Sequence, residues 1–152
     1  MNRIAVILLV GVALAGAALL AGAQGSEGKS LLRPDDPATV AEGAAVYAET
    51  CAACHGTRLE GQPNWRERGE DGLLPAPPHD ETGHTWHHDG ETLFRLTKFG
   101  VAKLIDDPDY ATAMPAYEGT LSDDEIVAVL SYIKSTWPPE IRARHDEMER
   151  SR

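Results

Sequence analysis

Apolar residues recur at helical spacing in two separate stretches of the chain. In the first stretch they form one face, made of Val40, Ala44 and Tyr47. Asp36 followed by Pro37 predicts the start of this helix, because a side-chain acceptor precedes a residue that lacks an N–H. Gly43 lies inside it, where glycine costs roughly 1 kcal/mol relative to alanine. We therefore expect another helix to approach closely at Gly43.

The second stretch begins at Ser122, which forms a capping box with Glu125. The apolar positions that follow at helical spacing are Ile126, Val129, Leu130, Tyr132 and Ile133. Lys134 lies near the end, where the helix dipole favours positive charge, and the prolines at 138–139 stop the helix after Trp137. This face is the expected partner of Gly43. A further helix is predicted between Asp89 as N-cap and Gly100.

The N-terminal segment predicts export. Residues 4–20 contain no charged or strongly polar side chain, and small residues at 21–23 suit cleavage by signal peptidase. The apolar run is near the lower limit for crossing a bilayer and is long for a cleaved signal. Residues 1–23 are therefore an export signal or an N-terminal membrane anchor. Both alternatives place the remaining chain outside the cytoplasm, with Arg3 left inside.

The rest of the chain divides into three predicted parts. Residues 24–35 are a linker, rich in small and charged residues. Residues 36–137 are one folded domain, which is as much as a chain of 152 residues and 16.4 kDa has room for. Residues 138–152 are charged and poor in apolar periodicity, so that a mobile tail or a short solvated helix is expected.

The composition bears on both the core and the partners of the protein. Only 6% of the residues are aromatic, which is little for a core of this size, and a buried macrocycle would supply the missing apolar bulk. The formal net charge of −10 argues against nucleic acid and anionic lipid as partners. It favours docking to a basic patch on another protein.

The candidate chemistry lies in Cys51-Ala52-Ala53-Cys54-His55, which contains the two cysteines of the chain. C-x-x-C followed by histidine is the attachment sequence for a c-type haem. Its two thiols are spaced to reach the two vinyl groups of one porphyrin, while the adjacent imidazole binds the iron. A thioredoxin-like redox pair would share C-x-x-C, but it needs no histidine and lies beside a βαβ pattern, which this sequence lacks.

A second group of candidate ligands follows in a histidine-rich run containing His79, His84, His87 and His88. One interpretation is a loop over the haem edge, in which these side chains and Trp86 donate hydrogen bonds. Another is a second metal site for copper or zinc, with Asp80 and Glu81 as further ligands. A third is a distal ligand or a proton-coupled switch near neutral pH.

Taken together, these features resemble a class I c-type cytochrome, of the monohaem bacterial periplasmic kind. The residues that carry the resemblance are Gly43 and Tyr47, the motif from Cys51 to Gly56, the segment from Met114 to Tyr117, and Val129 and Tyr132. The resemblance implies an all-α cytochrome c fold, with crossed N- and C-terminal helices around one covalently bound haem. Phe94 and Leu96 would then line the haem.

The resemblance also implies further site residues. Met114 is the candidate sixth ligand of the iron, because Met1 lies in the export segment and Met148 in the charged tail. A lone methionine more often fills core space, but the haem motif and the matching loop favour ligation here. The Pro63 carbonyl would accept the Nδ1–H of His55, with Pro75, Pro77 and Pro78 as alternatives. The side chains that could pair with propionates are Trp65, Arg66 and Arg68.

The function implied is electron carriage by one haem c, attached through Cys51 and Cys54 and ligated by His55 and Met114, without enzymatic activity. Redox proteins would be the partners, and the location would be periplasmic, either soluble or tethered to the inner membrane. Two alternatives remain open from the sequence. One is a haem enzyme or sensor with a displaceable sixth ligand, and the other is a copper-handling module that uses the histidine run.

Overall fold

The computed structural model describes residues 30–151, and the regular structure in that part of the chain is helical. The helices are α1 (Pro37–Val46), α2 (Ala52–His55), α3 (Gly90–Phe99), α4 (Val101–Leu104), α5 (Asp123–Thr136) and α6 (Pro139–Arg150). A π-helical turn at Tyr47–Cys51 joins α1 to α2, and a 3₁₀ turn at Thr85–His87 precedes α3. The predicted all-α fold is confirmed.

The segment predicted for export or anchoring, residues 1–23, lies outside the described residues, as do residues 24–29 of the predicted linker. Between residues 30 and 151, none of the helices has the combination of length and apolar character needed to cross a bilayer.

Helices α1 and α5 cross directly, as the pattern predicted, and Gly43 marks the point of contact. A Cβ added at Gly43 would overlap the backbone carbonyl of Ala128 on α5, so only glycine permits this approach. The rings of Tyr47 and Tyr132 meet beside the crossing, with centroids 5.5 Å apart. The core between the helices includes Ile126 and Val129, both at most 2% exposed.

The predicted helix starts are also confirmed. The Asp36 side chain accepts from the N–H of Ala38, and Asp89 accepts from the N–H of Thr92. Ser122 and Glu125 form the full capping box, in which each side chain pairs with the backbone of the other residue. These contacts satisfy N–H groups that the first turn of a helix leaves without intrahelical partners.

The C-terminal segment is a helix, one of the two forms expected, but it is packed against the fold and not fully solvated. His145 on α6 is fully buried, and the Lys134 ammonium on α5 lies 2.5 Å from the Asp146 carboxylate on α6. Part of the predicted linker is packed as well, because Leu32 is 4% exposed and lies in the core. The limits of the domain proposed from the sequence thus remain predictions, while the packed structure extends past both of them.

Candidate haem site

The two cysteines and the histidine of the motif lie in one continuous helical segment. Cys51 ends the π-helical turn, and Cys54 and His55 lie in α2. Residues three apart on a helix lie on the same side, so the two thiols face one region of space. Neither cysteine forms a disulfide; Cys51 is partly buried and Cys54 is exposed. His55 is 7% exposed, which places its ring inside the fold.

The imidazole of His55 is oriented by a backbone carbonyl, as expected, but the acceptor is Pro77. His55 Nδ1 lies 2.8 Å from the Pro77 oxygen. In a neutral imidazole Nδ1–H donates to this carbonyl, which leaves Nε2 with the lone pair needed to bind a metal. The assignment of Pro63 as acceptor was wrong.

The pairing of two loop segments explains why Pro77, and not Pro63, is the acceptor. The N–H of Gln62 donates to the Ala76 carbonyl at 2.8 Å, and the N–H of His79 donates to the Leu59 carbonyl at 2.8 Å. Gly61 lies between these bonds with φ of +67°, and a Cβ there would overlap the backbone of Pro77 and Pro78. The loop that contains Pro63 therefore supports the acceptor segment without supplying the acceptor.

Burial sets the protonation of the motif. It lowers the pKa of His55, partly offset by the hydrogen bond to Pro77, so the ring is neutral at neutral pH and able to bind a metal ion. Burial and the neighbouring Cys54 raise the pKa of Cys51 to about 11, which keeps this sulfur a thiol. A raised pKa is the opposite of what a reactive redox pair requires, and it disfavours the thioredoxin-like alternative.

His79 lies directly on the face of His55. The two rings stack with centroids 4.0 Å apart and planes 21° from parallel. His79 is held in turn by Thr85, whose Oγ1 lies 2.8 Å from His79 Nδ1, and by Trp137, whose indole N–H donates to the His79 carbonyl at 2.8 Å. The sequence pointed to the histidine run as a whole, but no pattern in it distinguished His79 from its neighbours.

Two of the other histidines of the run contact each other, because the rings of His84 and His88 have centroids 5.5 Å apart. His84 stacks on Trp65, with ring centroids 5.2 Å apart, and His87 contacts Trp86. The carbonyl of His88 faces Nε2 of His145 at 3.0 Å. Within residues 30–151, no three His, Cys, Asp or Glu side chains are arranged to hold a metal ion. The geometry thus gives the copper or zinc alternative no support.

The two arginines named as possible partners of propionates are exposed and have other contacts in the structure. The Arg66 guanidinium lies 3.9 Å from the centre of the Trp65 ring, and Arg68 donates to the Gly72 carbonyl at 2.6 Å. Phe94, expected to line the haem, is partly buried against the core, as is Cys51. Leu96 is also partly buried.

Met114 lies in the irregular segment between α4 and α5, and its side chain is partly buried. The segment is fastened at Tyr117, whose hydroxyl donates to the Thr50 carbonyl at 3.4 Å, immediately before Cys51. The N–H of Tyr117 also donates to the Thr97 carbonyl on α3 at 3.1 Å. These bonds tie the methionine segment to the start of the cysteine motif, and the role of Met114 as sixth ligand stays a prediction.

The donor set fits haem c. Two free thiols lie one turn apart, and they are followed by a neutral imidazole whose Nδ1 is engaged and whose Nε2 is available. Residues 38–133 match the family described as cytochrome c oxidase, cbb3-type, subunit III. The chain belongs to this family. It is a class I c-type cytochrome, as the sequence predicted, and the family implies electron transfer through covalently bound haem c.

Two curated relatives extend the comparison. This cytochrome is 29% identical over 113 residues to the gluconate 2-dehydrogenase cytochrome c subunit of Pantoea cypripedii, across 72% of the chain and 22% of the relative. It is 33% identical over 98 residues to the cbb3-type cytochrome c oxidase subunit CcoP of Azospirillum sp. (strain B510), across 64% of the chain and 29% of the relative. The chain thus spans less than a third of the length of either relative. No solved structure gives a significant match.

Proposed function

We propose that this cytochrome carries single electrons between redox proteins on the exported side of a membrane, using one haem c bound through Cys51 and Cys54. The observation that carries the proposal is the hydrogen bond from His55 Nδ1 to the Pro77 carbonyl, next to two free thiols on the same helical segment. When bound there, the haem supplies an iron that alternates between the ferric and ferrous states.

The residues around His55 prepare it as the proximal ligand. The carbonyl of Pro77 fixes the tautomer and makes the imidazole more electron-donating. Tyr47 donates to the Gly56 carbonyl at 2.9 Å and so holds the chain where it leaves the motif. The crossing of α1 and α5 lies beside these residues and packs closely at Gly43.

Met114 is proposed as the sixth ligand, and the tie between Tyr117 and Thr50 supports this role. A thioether opposite an imidazole raises the reduction potential compared with two imidazoles. It also occupies the remaining position on the metal, so the cytochrome would be an electron carrier and not an enzyme that binds a small substrate at iron.

The proposed partners are redox proteins, and the proposed location is the periplasm, with residues 4–20 as a cleaved signal or a membrane tether. Both curated relatives have names that describe them as cytochrome subunits of a dehydrogenase or an oxidase. The net charge of −10 favours docking to a basic patch on such a partner. The docking would be strongest at low salt, because surface charges are screened within about 8 Å at physiological ionic strength.

The ligand assignments are tested together by mass and optical spectroscopy of the exported protein. We expect the mass of one haem on the parent chain and no stable covalent adduct on Cys51→Ala. The oxidised parent should show the weak far-red band of sulfur-to-iron charge transfer, and Met114→Ala should lose it.

Met148→Ala is the matched control for the optical test, because it removes a methionine from α6 and should leave the band unchanged. A parent protein that lacks the band and binds carbon monoxide when reduced would favour the enzyme or sensor alternative. A parent protein isolated without haem iron would contradict the proposal altogether.

A further inference from the structure

The proximal histidine of a cytochrome has a rotational freedom that one hydrogen bond does not remove. The torsion angle about the bond that joins an imidazole ring to its side chain has a broad distribution, without sharp staggered minima. The bond from His55 Nδ1 to the Pro77 carbonyl fixes one atom of the ring and leaves the ring plane able to pivot about that bond. A second contact on the face of the ring is required to fix the plane.

His79 supplies that contact in the structure. We propose that His79 is a positioning residue, whose stacked ring fixes the plane of the His55 imidazole and thereby sets the reduction potential of the iron. The inference rests on the proposed function, in which His55 is the proximal ligand. Nothing in the haem attachment motif itself requires a second imidazole at this place.

Three observations make His79 suited to this role. Its ring lies 4.0 Å from that of His55 and nearly parallel to it. Thr85 fixes its Nδ1 from one side, while Trp137 fixes its backbone carbonyl from another. The ring of Tyr47 lies close to that of His79, with centroids 6.3 Å apart in a T-shaped arrangement. Contacts from three neighbours therefore hold His79 against His55.

The effect on the potential acts through the orientation of His55 and the strength of its hydrogen bond to the Pro77 carbonyl. The stacked ring of His79 stabilises that orientation by contact with the face of the imidazole.

The direction of the effect follows from that hydrogen bond. A well-aligned bond from Nδ1–H to the Pro77 carbonyl raises the basicity of the imidazole, and a more basic ligand favours ferric iron. If the His55 ring tilts, the bond weakens and the ferric state is less favoured. Removing the ring of His79 should therefore raise the reduction potential.

The experiment compares His79→Ala with His79→Phe in the exported holoprotein. We expect His79→Ala to favour the ferrous state by roughly threefold, which is about 28 mV at 59 mV per tenfold for a one-electron couple. We also expect altered g values in the electron paramagnetic resonance spectrum of the ferric state, because these depend on the plane of the axial imidazole. His79→Phe retains a ring on the same face and should restore both properties toward the parent values.

His87→Leu is the control, because it removes an exposed histidine of the same run that does not contact His55. A His79→Ala protein that carries haem with the parent potential and g values would overturn the inference. So would a His79→Phe protein that behaves like His79→Ala. A parent chain without attached haem would instead overturn the proposed function, so the two failures are distinguishable.

A second variant covers the case in which His79→Ala does not accumulate. Thr85→Val removes the hydroxyl at His79 Nδ1 while keeping the volume of the side chain. We expect a smaller rise of the potential in the same direction. An unchanged potential in Thr85→Val would then overturn the inference.

Discussion

Lys134 is 1% exposed on α5, yet it carries a charge that has to be balanced inside the fold. Its ammonium lies 2.5 Å from the Asp146 carboxylate on α6. An isolated ammonium is expensive to bury, whereas a paired one is tolerated. Within residues 30–151, Asp146 is the acidic residue that forms an ion pair with Lys134, and the pair joins α5 to α6.

We expect Asp146→Asn to lower the free energy of unfolding by about 2 kcal/mol, less than for a fully buried pair because Asp146 is partly exposed. Lys134→Met should lower the free energy of unfolding by less, because it removes the charge that needs a partner. Urea unfolding of the holoprotein measures both. Glu147→Gln, an exposed change on the same helix, should stay within about 0.5 kcal/mol. Equal losses for Asp146→Asn and Glu147→Gln would contradict this account.

Single residues differed in how far the sequence could identify their roles. Cys51, Cys54 and His55 are adjacent in the chain, so their chemistry could be inferred from spacing alone. Pro77 and His79 reach His55 only after two loops pair, and the sequence favoured Pro63 as the acceptor, with Pro77 as one of three alternatives. A local pattern does not contain that information.

Among the helices, α1 and α5 show how a single glycine determines packing. Gly43 lets the backbones approach until a side chain no longer fits between them. The apolar face of α5 then covers α1 over the residues that lead to Cys51. Close contact at this crossing is what places the cysteine motif at the edge of the core.

Gly43→Ala should lower the free energy of unfolding by about 2 kcal/mol or more, because the added methyl group meets the Ala128 backbone, which has no freedom to rotate away. Helix propensity alone predicts the opposite, a gain of about 1 kcal/mol. Thermal unfolding of the holoprotein distinguishes the two. Glu42→Ala places an alanine at the preceding position, which is exposed, and should change stability little. A stabilised Gly43→Ala protein would show that the helices do not touch there.

The helices with complete local signals were predictable, whereas α6 was foreseen only as one of two alternatives and its packing was not foreseen. Asp36, Asp89 and Ser122 each supply a cap that a short sequence window reveals. Helix α6 begins without a side-chain cap and consists mostly of charged residues. Its packed position depends on Lys134 on the preceding helix and on the carbonyl of His88, which is distant in sequence, and both become partners only in the folded chain.

In the molecule as a whole, α6 joins the C-terminal part of the chain to the region of the histidine run. His145 is fully buried, and its Nε2–H donates to the His88 carbonyl at 3.0 Å. Glu149 accepts from the N–H of Gly90 at 2.5 Å, at the start of α3. His145 Nδ1 is buried without a hydrogen-bond partner. A proton on this nitrogen would have nothing to bind.

This arrangement predicts a loss of stability in mild acid. Burial, together with the charge of Lys134, lowers the pKa of His145 in spite of the nearby carboxylates of Asp146 and Glu149. The unfolded chain then binds the proton more tightly, so stability falls as the pH drops below the unfolded value of about 6.5. Denaturant unfolding of the holoprotein between about pH 7.5 and about pH 5.5 measures the slope.

We expect His145→Leu to flatten this dependence by up to about 1.4 kcal/mol per pH unit, the limit for one proton. Ala143→Leu places a leucine at an exposed position of the same helix without removing a titratable group, and it should leave the slope as in the parent protein. An identical slope in His145→Leu and the parent would show that His145 titrates normally in the folded state.

The meeting of α1 and α5 also determines where this chain can change in length. The chain between α1 and α5 begins and ends at their crossing. Residues 66–72 of this stretch are exposed throughout. Doubling the length of a flexible loop adds only about 0.6 kcal/mol of closure entropy. Insertions at residues 66–72 would therefore enlarge this exposed surface and leave the crossed helices undisturbed, so the chain can grow here without rebuilding its interior.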